Sequence, residues 1–78
     1  MPIKLPKKSE LLVAFGEIIR DIRKEKELSQ EELADKAGLH RTYIGMIERG
    51  EKNITLENIN KLSKALQTPM HELFKKLK

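Results

Sequence analysis

Apolar residues recur at spacings of three and four along most of the chain, the period of helices that bury one side. Leu12, Phe15, Ile19 and Ile22 form the first stripe, with Glu17, Arg20, Asp21 and Lys24 opposite. Ser9 suits the N-cap of that helix and Glu10 its first turn, and the stripe predicts an end near Lys26 or Glu27, with Leu28 turning inward. Ser29 and Glu32 have the spacing of a capping box, so a second helix is predicted from Gln30 to about Ala37, stopped by Gly38. A third begins near Arg41, with His40 at its cap, and reaches Arg49; Gly50-Glu51-Lys52-Asn53 reads as a turn. Thr55 caps a fourth helix with the stripe Leu56, Ile59, Leu62 and Leu66, and Ala65 beside it. Thr68-Pro69 announces a fifth, from Pro69 to about Leu77, carrying Met70, Leu73, Phe74 and Leu77. No segment alternates with period two. The expected fold is all-α, a compact five-helix bundle over residues 9–78, preceded by a flexible basic arm, residues 1–8.

The stretch from Gln30 to Arg49 carries a tighter constraint. Two short helices that cross steeply need a small residue at the crossing, a residue tolerating positive φ at the turn, and aliphatics facing inward on both sides. Ala34, Gly38, and Leu33, Leu39, Ile44 and Ile47 supply these in register. The pattern is that of a helix-turn-helix.

The run LSQEELADKAGLHRTYIGMIERG, from Leu28 to Gly50, resembles the DNA-binding core of the XRE family, the group of phage lambda repressor and Cro. The likeness extends from about Phe15 to Leu66. Within the family, RTYIGMIERG followed by EKNITLENINKLSKAL is similar to the controller proteins of restriction–modification systems. The resemblance implies a lambda-repressor-like bundle in which the second and third helices engage double-stranded DNA.

At about 100° per residue, Ile44 and Ile47 toward the core leave Thr42, Gly45, Met46 and Arg49 projecting nearly opposite, flanked by Arg41 and Tyr43. Such a face suits a major groove. Arg41 can offer two hydrogen bonds to guanine O6 and N7, Thr42 a hydroxyl or a methyl, and Met46 an apolar contact to a thymine methyl. Gly45 would let the helix approach closely. The resemblance points to the same base-reading positions, Arg41, Thr42 and Met46. Gln30, Tyr43, Arg49, Lys52 and Asn53 are candidates for backbone contacts, which set the register and carry no sequence information; in the family the residue matching Gln30 belongs to this clamp. Glu48 falls at the rim of the core, and the family pairs the matching residue with an arginine that would here be Arg23. Each position also has a purely structural reading: Arg41 as a surface cation, Met46 packed on a neighbouring helix, Tyr43 half-buried.

Composition narrows the class more than the function. Seventy-eight residues make one small domain without room for a ligand-sensing unit. With no cysteine, disulfides and thiolate metal sites are excluded, which fits a reducing cytoplasm. No apolar run could span a membrane. Sixteen basic against twelve acidic residues, a net +4, suit an anionic partner but suit any charged surface as well, so placement must decide. The central residues 30–55 in fact carry four basic and five acidic groups. His40 and His71 are the only histidines, too far apart in sequence to suggest a metal pair; His40 suits a helix cap or a phosphate neighbour. No phosphate loop, nucleophile or zinc motif appears, so neither catalysis nor a cofactor nor a small-molecule ligand is expected.

The fifth helix holds more large apolar residues than a terminal helix needs for docking. Met70 and Leu73 could complete the core, while Phe74, Leu77 and Leu66 form a two-fold interface, or the helix simply closes the bundle. Two functional readings follow. The first is a dimeric regulator that binds pseudo-palindromic operators, is autoregulatory in the manner of controller proteins, and can engage RNA polymerase. The second is a protein-interaction module, such as an antitoxin or transcriptional bridging domain, using the fifth helix against a different chain.

Overall fold

The computed structural model describes residues 9–77; the expected basic arm, residues 1–8, lies outside them. Among the described residues there are five helices and no strand: α1 (Glu10–Glu25), α2 (Gln30–Ala37), α3 (Arg41–Glu48), α4 (Leu56–Ala65) and α5 (Met70–Lys75). The local signals act where the side-chain chemistry places them. Ser9 Oγ accepts from the Leu12 N–H, and Thr55 Oγ1 from the Asn58 N–H. Ser29 and Glu32 close a reciprocal capping box at 3.0 and 2.9 Å. The Ser29 backbone N–H, and then its side chain, hold the exposed Glu32 carboxylate below its ordinary pKa. Its contribution to α2 is therefore present above the ordinary carboxylate range and lost as pH falls through the depressed value.

The helix stops differ in chemistry. Gly38 ends α2 at φ +69°, a left-handed conformation that costs glycine little. α1 and α4 end in the same way without glycine: Glu27 has φ +58° and Gln67 φ +53°. Each is closed by a long-range turn bond, Leu28 N–H to Arg23 O and Thr68 N–H to Ser63 O, both 3.0 Å. α5 differs from expectation at both ends. Pro69 is its N-cap, not its first residue, and the helix stops at Lys75. The Thr68 hydroxyl is no cap, because it donates to Leu66 O.

α3 packs on both α1 and α2, α4 on α2 and α5, and α5 closes against α1. The core is formed by Phe15, Ile18, Ile19, Ile22, Leu33, Ala34, Ala37, Ile44, Ile47, Leu62, Leu66 and Leu73. Each fully buried Leu or Ile contributes roughly 1.5–3 kcal/mol relative to exposure. Two expectations need correction. Leu56 is 66% exposed: at about 100° per residue it lies some 120° around α4 from Leu62, so it cannot share that buried side. Leu66 is 1% exposed, a core residue that offers no surface to the expected two-fold interface. The α1 stripe is also broader than expected, since Ile18 is buried beside Ile19.

Gly16 is the crossing point of α1 and α3. A Cβ there would collide with the Ile47 carbonyl oxygen and lie 2.7 Å from that of Glu48. The two helices meet backbone to backbone. Gly16→Ala is expected to destabilise the chain by about 1–3 kcal/mol or more, the cost of overpacking against groups that cannot yield. Gln67→Gly, by relieving a left-handed non-glycine residue, should instead stabilise by roughly 0.5–1 kcal/mol. Denaturant titration of the two variants checks both signs.

Candidate nucleic-acid interface

The site begins with a buried ion pair. Arg23 projects from α1 and Glu48 from the last turn of α3, and both are nearly withdrawn from solvent. Arg23 Nε donates to Glu48 Oε2 at 2.6 Å and Nη2 to Oε1 at 3.0 Å, a two-pronged contact. Arg23 Nη1 donates to Leu28 O at 2.8 Å, in the loop before α2, and Gln30 Nε2 donates to Glu48 Oε1 at 3.0 Å. One carboxylate thus ties α1, α2 and α3 together. Among the described residues no buried side-chain polar atom lacks a partner. The hydrogen bond from Arg23 to the Glu48 carboxylate raises the arginine pKa above its ordinary value despite burial.

This framework turns one side of α3 outward. Arg41 and Thr42 are exposed, Arg49 is exposed at the helix C-cap, and Met46 is half-buried. His40 caps the helix, its Nδ1 accepting the Thr42 N–H at 3.1 Å, which requires that nitrogen to be unprotonated. Gln30, Arg41, Thr42 and Arg49 come together around an open cleft of about 620 Å³ whose wall also includes Ser29 at the start of α2. The N–H groups that the capping box leaves free at that helix start add positive potential to a wall that holds the exposed guanidinium groups of Arg41 and Arg49, Arg23 at its back, and the Glu31 carboxylate.

Gly45 departs from expectation. It is buried, because Arg49 Nη1 would lie 3.1 Å and Gln30 Oε1 3.7 Å from a Cβ built on it. The missing side chain makes room for these two polar groups, and the open approach to a partner falls to Arg41 and Thr42. Gln30 likewise is not freely extended, since Glu48 holds its amide nitrogen.

Tyr43 and Lys52 form a second cluster. The Tyr43 hydroxyl accepts from Asn58 Nδ2 of α4 at 3.0 Å, and Lys52 Nζ lies 5.9 Å from the ring centroid. Asn58 has no counterpart among the expected site residues; nothing in its local sequence announces that it would reach a tyrosine fifteen residues earlier. Asn53 is not part of either cluster. It borders an apolar cleft on another side, lined by Leu11, Leu12, Phe15, Ile54, Ile59, Phe74 and Leu77. Phe74 is 41% exposed, with its ring 6.4 Å from that of Phe15, and Leu77 is half-buried. Leu11, 62% exposed, and Ile54 are the cleft residues that periodicity missed. His71 lies on the surface, 3.5 Å from Glu72.

A recognition helix presented beside the N-terminus of its companion helix defines a DNA-binding helix-turn-helix domain. Comparison with known proteins agrees. The helix-turn-helix family model HTH_3 matches residues 19–73. The chain is 51% identical over 59 residues to control protein C.BamHI of Bacillus amyloliquefaciens, covering 74% of this chain and 73% of that one. It is 49% identical over 59 residues to control protein C.SmaI of Serratia marcescens, covering 76% and 70%. The crystal structure of the restriction–modification controller protein C.AhdI from Aeromonas hydrophila superposes with a TM-score of 0.80 at 51% identity, covering 81% of this chain and 96% of that one. The chain belongs to the XRE-type helix-turn-helix family, as a non-enzymatic, DNA-binding regulator of transcription with controller proteins among its relatives. No helix among the described residues is long and apolar enough to cross a membrane.

Removing one half of the ion pair leaves the other charge buried and unmatched. Glu48→Ala is expected to cost about 3–5 kcal/mol, whereas the double change Arg23→Met with Glu48→Met should recover most of that stability. Thermal unfolding of the three proteins measures the difference.

Proposed function

We propose that the chain acts as a homodimeric, sequence-specific regulator of transcription on pseudo-palindromic operators, with autoregulation of the controller-protein kind. The observation that carries this reading is the outward side of α3, where Arg41 and Thr42 stand exposed at the head of a rigidly supported helix. Arg41 reads guanine and Thr42 an adjacent base edge, while half-buried Met46 adds an apolar contact. Gln30, Tyr43, Arg49 and Lys52 hold the sugar-phosphate backbone, Tyr43 through the hydroxyl proton that its bond from Asn58 leaves available. Asn53 has the weakest place in this scheme, because it faces the apolar cleft.

The second copy docks on that cleft. Leu11, Phe74 and Leu77 supply apolar surface, and Phe15 underneath anchors Phe74 to the core. Two recognition helices about 34 Å apart would then meet successive major grooves. Residues 9–78 form the dimerising DNA-binding unit, with the basic stretch 1–8 as its arm. The setting is the cytoplasm, and contact with RNA polymerase is the route by which a bound dimer would raise transcription. The input is the protein's own concentration, through dimer formation.

Selecting bound duplexes from a random pool tests the reading directly. A two-fold symmetric consensus is expected; recovery of no preferred sequence would refute it. Against the selected site, Arg41→Ala should relax preference at one base pair by roughly 1–3 kcal/mol. Lys52→Ala should weaken every duplex alike and lower the salt slope by about one. Phe74→Lys should convert a sedimenting dimer to monomer and weaken operator binding with it. A wild-type monomer in sedimentation would favour the other reading, in which the apolar cleft receives a different protein.

A further inference from the structure

Both exposed arginines at the α3 cleft, Arg41 and Arg49, are accompanied by a carboxylate. Arg41 Nη1 lies 3.6 Å from Glu31 Oε2, which belongs to the first turn of α2, and Arg49 Nε donates to Glu51 Oε2 at 3.1 Å. The Glu31–Arg41 pair is open to solvent, with both side chains about two-thirds exposed. It adds little to stability. Its placement is the informative feature, because a carboxylate beside a surface expected to meet phosphates is electrostatically unfavourable for binding DNA in general.

Guanine and phosphate make different demands on an arginine. Guanine offers two neutral acceptors, O6 and N7, in a plane that the guanidinium fork matches. A guanidinium has five N–H donors, so it can keep one carboxylate on one edge and present the other edge to a base. A phosphate oxygen attracts the arginine mainly through its charge. It would meet a group already neutralised, and it would bring a second anion against Glu31. The carboxylate therefore subtracts from the charge-driven contact while leaving the hydrogen-bonding contact intact.

We propose that Glu31 is a specificity-determining residue: it restrains Arg41 so that the guanidinium is available to a base edge and unrewarding to bare backbone. Its effect is to widen the gap between operator and random DNA, at some expense in total affinity. This rests on α3 being the recognition helix.

The test compares Glu31→Gln with Asp35→Asn, which removes the same charge from α2 one turn later without touching Arg41's partner. Affinity is measured for the selected operator and for a random duplex of equal length over a range of salt. For Glu31→Gln, random-duplex binding should tighten about two- to fivefold more than operator binding, the range that an exposed ion pair commands. Its salt slope on random duplex should steepen by about one, reporting a new phosphate contact. Asp35→Asn should shift both duplexes by the same factor. If Glu31→Gln does no more than Asp35→Asn, or weakens the operator without tightening random DNA, the proposal fails. If Arg41→Ala leaves base preference unchanged, the recognition reading beneath it fails instead.

Discussion

A single carboxylate, that of Glu48, organises the helix-turn-helix. It is surrounded by three donors, two from Arg23 and one from Gln30, and the remaining arm of Arg23 reaches the loop at Leu28. A well-packed apolar cluster of the same volume could be as stable or more so. What the ion pair supplies is direction. Its hydrogen bonds have fixed lengths and planes, and they set the start of α2 against the end of α3. An apolar contact at the same place would hold the helices together without fixing the angle between them.

The molecule divides its remaining surface by chemistry. On one side, guanidinium groups, the start of α2 with its Glu31 carboxylate, and a capped α3 make a polar, open concavity. On another, Leu11, Phe74 and Leu77 make an apolar one. α1 serves both: Phe15 supports Phe74, and two turns further along Arg23 grips Glu48. A domain of 78 residues has few side chains to spare for independent supports, and this helix is shared between them.

The helices could be read from the sequence because their signals are local. Ser9, Ser29, Gly38 and Thr55 each act within a few residues of themselves, and α2 and α3 start where their caps place them. Where the signal depends on distant partners, the reading was incomplete. Gly16 is unremarkable within α1; only the passage of α3 shows why nothing larger fits. Gly45 reads as an open spot on an exposed helix, and only the fold brings Arg49 and Gln30 against it. Asn58 and Tyr43 each make sense only in the presence of the other. Leu56 was placed by counting apolar letters, and helical angle places it elsewhere. The cleft residues Gln30, Arg41, Thr42 and Arg49 were all legible, since the turn between α2 and α3 fixes their common side. Leu66 was legible as part of the α4 stripe, and its burial leaves it no surface for the interface to which it was also assigned.

The close crossing at Gly16 has an evolutionary corollary. Where two helices touch through their main chains, the crossing has no room for a larger side chain, and its closeness does not depend on the exposed residues of α3. On the proposed reading of α3, new DNA sequences would then be acquired by rewriting letters such as Arg41 and Thr42 on a rod whose seat stays in place. Diversification in such a lineage becomes a matter of vocabulary, with the grammar held constant.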